Sequence, residues 1–181
     1  MKPITKRLEY RRKRTGKTNY KKRLKLLLSK KPRLVIRKTL TSTIAQIVNY
    51  DENGDKTIIS ANSAELKKVG WKMNTGNIPA AYLTGMLLAK KAKEKKIGKA
   101  IVDLGLVTPT KGSKIFAALK GAIDNGLDIP HSEDMFPLDE QINGEIIKKA
   151  ISLIKTKNQF STYKKIDIIN HIQEIKYKIM K

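Results

Sequence analysis

Seventeen of the first 38 residues are Lys or Arg and only Glu9 opposes them, which gives that end of the chain a charge of +16. A stretch this charged cannot collapse on itself, because its own repulsion opposes compaction unless a polyanion neutralises it. The other 143 residues carry 22 basic and 15 acidic side chains, so most of the net +23 sits at one end. A solvated lysine-rich surface would spread its charge along the chain. This concentration reads instead as an arm that lies on phosphates. Nucleic acid is the partner that fits best, since each neutralised phosphate also releases condensed counterions.

The remainder has the means to fold. Forty per cent of the 181 residues are hydrophobic, enough for one domain of ordinary size with appendages. No run of about 18 apolar residues is present to span a membrane. The amino terminus is charged from its second residue and lacks the apolar stretch of a secretory signal. Without cysteine there is neither a disulfide framework nor a thiolate metal site, and the expected compartment is the cytoplasm.

Periodicity divides the chain into an α/β pattern. Residues 1–17 show no helical stripe and are expected to order only on an anionic partner. Residues 19–30 have helical spacing, with Leu24, Leu27 and Leu28 on the apolar face and Pro32 as the stop. Three strands follow, at Leu34–Ile36, Thr43–Tyr50 and Lys56–Ala61, with Asn53-Gly54 supplying the positive φ angles of a tight hairpin. Asn62 and Glu65 have the spacing of a capping box for a short helix ending near Gly70. Asn77 is placed to cap a long helix from Ile78 to Lys96, closed by Gly98, whose last turns collect lysines at the negative end of its dipole. Lys99–Leu104 reads as a buried strand, parallel to a neighbour through a crossover. A second helix runs from Lys114 to Asn125 with Ile115, Phe116, Leu119, Ala122 and Ile123 inward, ended by Gly126. After an irregular stretch at 127–138, helical spacing returns at 139–155 and 165–180. In the last of these Ile168, Ile169, Ile172, Ile175 and Ile179 form one stripe, expected to pack on the chain's own domain. The fold class is therefore α/β, a mixed sheet of an antiparallel meander plus one parallel crossover strand, packed by helices. The expected divisions are a basic arm at 1–17, a main domain at 18–136 and a helical extension at 137–181.

Enzymatic chemistry finds no constellation here. His131 and His171 lie forty residues apart in unrelated contexts, so neither a metal site nor a general base is indicated. The acidic pairs Glu133-Asp134 and Asp139-Glu140 have no nucleophile beside them. Thr108 to Lys114 leads from a strand into a helix, but its Lys-Gly-Ser order and misplaced Gly105 exclude a P-loop. What survives is a phosphate site of helix-start N–H groups with Lys111, Ser113 and Lys114, or else simple capping by Thr110 or Ser113. The loop of residues 70–77 leaves two readings open as well. Trp71, Lys72, Asn74 and Asn77 suit contact with unpaired RNA, and equally Trp71 suits plugging the end of a helix pair; a mixed role, with Trp71 packing and the polar residues touching RNA, is favoured. No cofactor, metal or homo-oligomer is expected.

The stretch Arg11-Arg12-Lys13-Arg14-Thr15-Gly16-Lys17-Thr18-Asn19-Tyr20, followed by Arg23-Leu24-Lys25-Leu26-Leu27, resembles the start of the archaeal 5S-rRNA-binding large-subunit ribosomal protein, universal family eighteen. Gly70-Trp71-Lys72, Thr75 to Gly85, Phe116 to Ala122 and Gly126 to His131 continue the resemblance in order, from about residue 7 to 136. The Pro109–His131 segment is similar to the archaeal and eukaryotic branch. The resemblance implies a compact α/β domain with a basic arm and a helical carboxy-terminal extension. It also implies binding to 5S rRNA and large-subunit rRNA in the central protuberance, beside the other 5S-binding ribosomal protein. Arg37 and Lys38 match the family in charge, whereas Leu40 stands where an amide is expected.

The residues expected to carry RNA binding follow. Arg7, Arg11, Arg12, Arg14 and Lys17 in the arm, Arg23 and Lys25 in the first helix, and Arg37 and Lys38 after the first strand are set to meet phosphates. Tyr10 and Tyr20 are set to stack on bases or sugars, and the two loops supply Trp71, Lys72, Asn74, Asn77, Lys111, Ser113 and Lys114. A basic DNA-compacting protein would account for the charge but not for the ordered motifs, and an enzyme accounts for neither.

Overall fold

The computed structural model describes residues 8–153 and 166–181. Residues 1–7 of the expected arm, Arg7 among them, and residues 154, 155 and 165 of the expected helices lie outside them.

Four strands make one mixed sheet in the order β3-β2-β1-β4. β1 (Arg33–Lys38) and β2 (Thr43–Asn49) pair antiparallel, as do β2 and β3 (Lys56–Asn62), while β4 (Ile101–Asp103) runs parallel to β1. The meander and the parallel strand are as expected, but β4 is shorter and lies at the sheet edge. Ile101 and Val102 are accordingly half-buried rather than buried. The β2–β3 turn also differs from the two-residue hairpin anticipated. Asp51 caps it through its side chain, which accepts the Asn53 N–H, and only Gly54 takes a positive φ.

Alternation along the strands sends the two faces of the sheet to different fates. Leu34 and Ile36 of β1, Ala45 and Ile47 of β2 and Ile59 and Ala61 of β3 are all buried on one side. There α4 (Ile78–Glu94) and α5 (Lys114–Asp124) cover them. The two helices cross with their backbones nearly touching. A Cβ on Gly85 would come within 1.9 Å of the Ala118 carbonyl oxygen, and one on Gly121 within 2.0 Å of that of Tyr82. Only glycine fits either position.

The termini of these helices follow from side-chain chemistry. Asn77 Oδ1 accepts the Ala80 N–H to start α4, and Asn62 and Glu65 form the full capping box before α3 (Leu66–Val69). Gly70 and Gly126 end α3 and α5 in the left-handed region. α4 ends differently from expectation. Lys96, not Gly98, adopts φ +56°, and the Ile97 N–H reaches back to the Ala92 carbonyl to close the last turn. The clustered lysines near this end cap the sheet as well as the helix. Lys91 and Lys95 donate to the Ser60 and Ile58 carbonyls of edge strand β3, occupying acceptors that a bare edge would present to another chain.

The described residues toward each end of the chain form helices too. The arm contains one short turn, α1 (Arg11–Arg14), where no helix was expected. α2 (Tyr20–Leu27) is shorter than the 19–30 expected, and ends in a turn with Lys30 at φ +53° before Pro32 is reached. Its apolar stripe is not buried: Leu24 and Leu28 are 62% and 73% exposed and Leu27 is half-buried. At the other end, the expected helix at 139–155 breaks into α6 (Asp139–Ile142) and α7 (Glu145–Leu153). Gly144, at φ +80°, turns the chain where a Cβ would strike Ile168 and Ile172. α8 (Ile168–Met180) buries Ile168, Ile172, Ile175 and Ile179 and packs on α4, so the isoleucine stripe faces the chain's own fold.

Candidate nucleic-acid interface

The face of the sheet opposite α4 and α5 carries charge. Arg33, Val35 and Arg37 alternate with the buried Leu34 and Ile36 and therefore point away from the helices. With α2, the end of the arm and the residues after β4, they line a groove of about 590 Å³. Seven basic residues (Arg12, Lys17, Lys22, Arg23, Lys25, Arg33 and Arg37) and two acidic ones (Asp55 and Asp103) face it.

The acids are both at its base, engaged by three arginines. Arg23 of α2 forks onto Asp55, with Nη1 2.7 Å from Oδ2 and Nη2 2.8 Å from Oδ1. Arg33 bridges both acids, Nη2 to Asp55 at 2.5 Å and Nη1 to Asp103 at 3.0 Å. Arg37 donates to the Asp103 main-chain carbonyl at 2.8 Å and reaches its carboxylate at 3.4 Å. The fork from Arg23, with Arg33 beside it, holds the Asp55 carboxyl below its ordinary range, and the same bond raises the Arg23 guanidinium. An ion-pair group this enclosed fixes geometry more than it adds net stability, because desolvation offsets much of its attraction.

Above this base lies the described part of the arm, folded onto the start of α2. Arg12 Nε donates to Thr18 Oγ1 at 2.8 Å, and the Tyr10 and Tyr20 rings sit 5.2 Å apart and tilted by 43°. Arg11, Arg12, Arg14, Lys17 and Lys25 make no ion pair among the described residues, whereas Lys13 pairs with Glu9. Lys38 is exposed at the end of β1. The structure thus gathers Arg12, Lys17, Arg23, Lys25 and Arg37 around one groove, with Tyr10 and Tyr20 in tilted ring contact at the join of arm and α2.

The other candidates lie elsewhere. Trp71 is 4% exposed, its ring stacked 5.4 Å from that of His171 and its indole N–H donating to the Asn74 carbonyl. A base cannot reach that ring, so of the two readings of Trp71 the structure shows packing, not stacking on RNA. His171 Nε2 accepts the Lys72 main-chain N–H at 3.2 Å, which couples this loop to α8. Burial pushes the His171 imidazole down, with Lys72 and Lys178 adding to the effect and Glu174 opposing it. Asn74 Oδ1 accepts the Gly76 N–H and Asn77 Oδ1 is spent on capping α4, while the Lys72 side chain is exposed. Thr75 ties the loop to the β1–β2 turn by donating to the Thr41 carbonyl. In the third region neither Ser113 nor Thr110 caps α5 with its side chain. The Gly112 N–H is taken by the Met135 carbonyl, Lys111 is exposed and Lys114 is half-buried.

Reading the sequence missed Arg33, Asp55 and Asp103, the core of the groove. The alternation Arg33-Leu34-Val35-Ile36-Arg37 was the available signal, since it places both arginines on the face opposite the two aliphatic residues.

A family model described as "Ribosomal large subunit proteins 60S L5, and 50S L18" matches residues 5–98 and 90–132. The chain belongs to that family. It is a ribosomal protein of the archaeal and eukaryotic branch, an rRNA-binding constituent of the large subunit that serves translation within a ribonucleoprotein. Such proteins are generally structural rather than enzymatic. Among the described residues no cluster of His, Asp or Glu is arranged to hold a metal, and no helix is long and apolar enough to cross a membrane. The matched segments include the arm from residue 5, α2, the whole sheet and the α4–α5 pair, so the groove lies inside the family's part of the chain.

Proposed function

We propose that the chain holds 5S rRNA and ties it to large-subunit rRNA in the central protuberance, beside the other 5S-binding ribosomal protein, and that it catalyses no reaction. One observation carries the reading: Arg12, Lys17, Lys22 and Lys25, which have no acidic partner among the described residues, line one groove on the open sheet face. In this reading Arg11, Arg12, Arg14, Lys17 and Lys25 meet phosphates, with Arg7 extending the arm. Tyr10 and Tyr20 offer ring faces to sugars or bases, and Lys38 continues the cationic track. Arg23 and Arg37 shape the groove from below. Lys72, Asn74 and Asn77 form one secondary contact region, and Lys111, Ser113 and Lys114 another. Residues 1–17 act as the arm, 18–136 as the 5S-binding domain, and 137–181 as a helical extension that braces α4. RNA shape, more than base sequence, is what such a surface reads.

The test is binding of the full chain to 5S rRNA against excess transfer RNA across a salt series. Affinity is expected to survive the competitor and to fall on the order of a thousandfold between about 50 and 200 mM salt if six or more phosphates are neutralised. Binding that transfer RNA abolishes would reduce the chain to a nonspecific polycation.

A further inference from the structure

α2 is an eight-residue helix with no buried residue: Leu24 and the capping Leu28 face solvent, while Leu26 and Leu27 are only half-buried. A helix this short does not persist in water without tertiary support. Its strongest tertiary bond is the two-pronged Arg23–Asp55 fork. Asp55 is fixed in turn by Arg33, whose side chain is 4% exposed and also held by Asp103 of β4. The arm is tied to α2 through Arg12–Thr18 and the Tyr10–Tyr20 pair, so whatever positions α2 positions the arm's cations as well.

We propose that Asp55 is a positioning residue for RNA recognition: its carboxylate tethers α2 over the open sheet face and so sets the register of the arm and α2 cations. This rests on the proposed RNA reading, and it reverses the simplest electrostatic expectation. An acid in a basic groove repels phosphate, so removing it should strengthen all RNA binding if charge alone mattered. A tether predicts the opposite for the specific RNA. Without Asp55 the cations remain but lose their arrangement, and discrimination falls.

The experiment compares the full-length wild type with Asp55→Asn, Asp55→Glu and Arg23→Lys, by amide hydrogen exchange without RNA and by binding to 5S rRNA and transfer RNA. Asp55→Asn is expected to speed exchange in residues 20–28 about tenfold, as loss of a charge-assisted bond does, leaving α4 and α5 unchanged. It should lower the 5S-to-transfer-RNA affinity ratio about tenfold while the salt slope stays, since no cation is removed. Asp55→Glu should recover part of both. Arg23→Lys keeps the charge and leaves Arg33 both carboxylates, so it decides the matter if Asp55→Asn loosens the whole fold. Wild-type exchange in α2 of Arg23→Lys would overturn the tether, as would Asp55→Asn binding both RNAs more tightly at an unchanged ratio. A wild type with no preference for 5S rRNA would instead sink the proposed function, and the exchange data would still judge the tether.

Discussion

Of the helices longer than four residues, the first and the last, α2 and α8, both carry an apolar stripe, yet they are held by opposite physics. α8 buries four isoleucines against α4 and its neighbours, and its one buried polar side chain, His171, finds a main-chain partner in the loop at Lys72. α2 has no fully buried residue and is pinned by an arginine fork to Asp55, just before edge strand β3. The difference follows from what each helix meets. α8 lies on the packed, apolar layer, where area removed from water supplies the attraction. α2 lies over the open face, where Arg33, Arg37, Asp55 and Asp103 set charge among apolar residues such as Val35 and Val102, and none of its own residues is fully buried. A helix held by dry packing is part of the scaffold, and one held by an ion pair leaves its other cations free for a polyanion.

The comparison breaks first at the scaffold. Gly85→Ala should cost more than about 3 kcal/mol, because the added methyl meets the backbone of α5 rather than a movable side chain. Chemical denaturation would show it, with α8 losing the surface it sits on. Ile175→Ala is next, at about 2–4 kcal/mol from the lost contacts and the cavity left behind, read from the same denaturation midpoint. Replacing Arg11, Arg12 and Arg14 together with Ala should leave the midpoint in place. It should instead flatten the salt dependence of 5S rRNA binding by roughly 2 to 3 in slope, if each meets one phosphate.

A smaller effect separates the two ends by pH. The folded-state pKa of His171 lies below its ordinary 6.5, so as pH falls through that value the unfolded chain takes up the proton first. Stability and α8 exchange protection should be full above about 6.5 and decline as pH drops from there to the lower folded-state value. His171→Phe should remove that step. Asp55, also depressed, contributes above its ordinary 3.8, so α2 should loosen only at a more acidic pH. Leu24→Ala comes last, with a change within about 0.5 kcal/mol because the side chain already faces water.

Much of this was readable from residue order, and the failures share a cause. Asn62 with Glu65, and Asn77 before Ile78-Pro79, declared two helix starts because capping is a local bond. Strand alternation gave the sheet, and the isoleucine spacing of α8 gave the face it buries. Local pattern cannot name the surface an apolar stripe will meet: of the leucines on the apolar face of α2, Leu27 is half-buried while Leu24 and Leu28 face water. Nor does it show that Gly144 would be squeezed by α8 and split a helix, or that Trp71 would be roofed by His171 from one hundred residues downstream. In the interface, the charge of the arm was plain from composition. The groove beneath it was not, because Arg33, Asp55 and Asp103 come from three separate parts of the sequence and meet only when the sheet forms.

The measurement that tests the central claim most directly is amide hydrogen exchange of the full chain with and without 5S rRNA. Gain of protection through α1 and α2, with α8 unchanged, is the result expected if the ion-pinned end receives RNA and the packed end serves as scaffold. Protection gained in α8 while α1 and α2 exchange as before would contradict it.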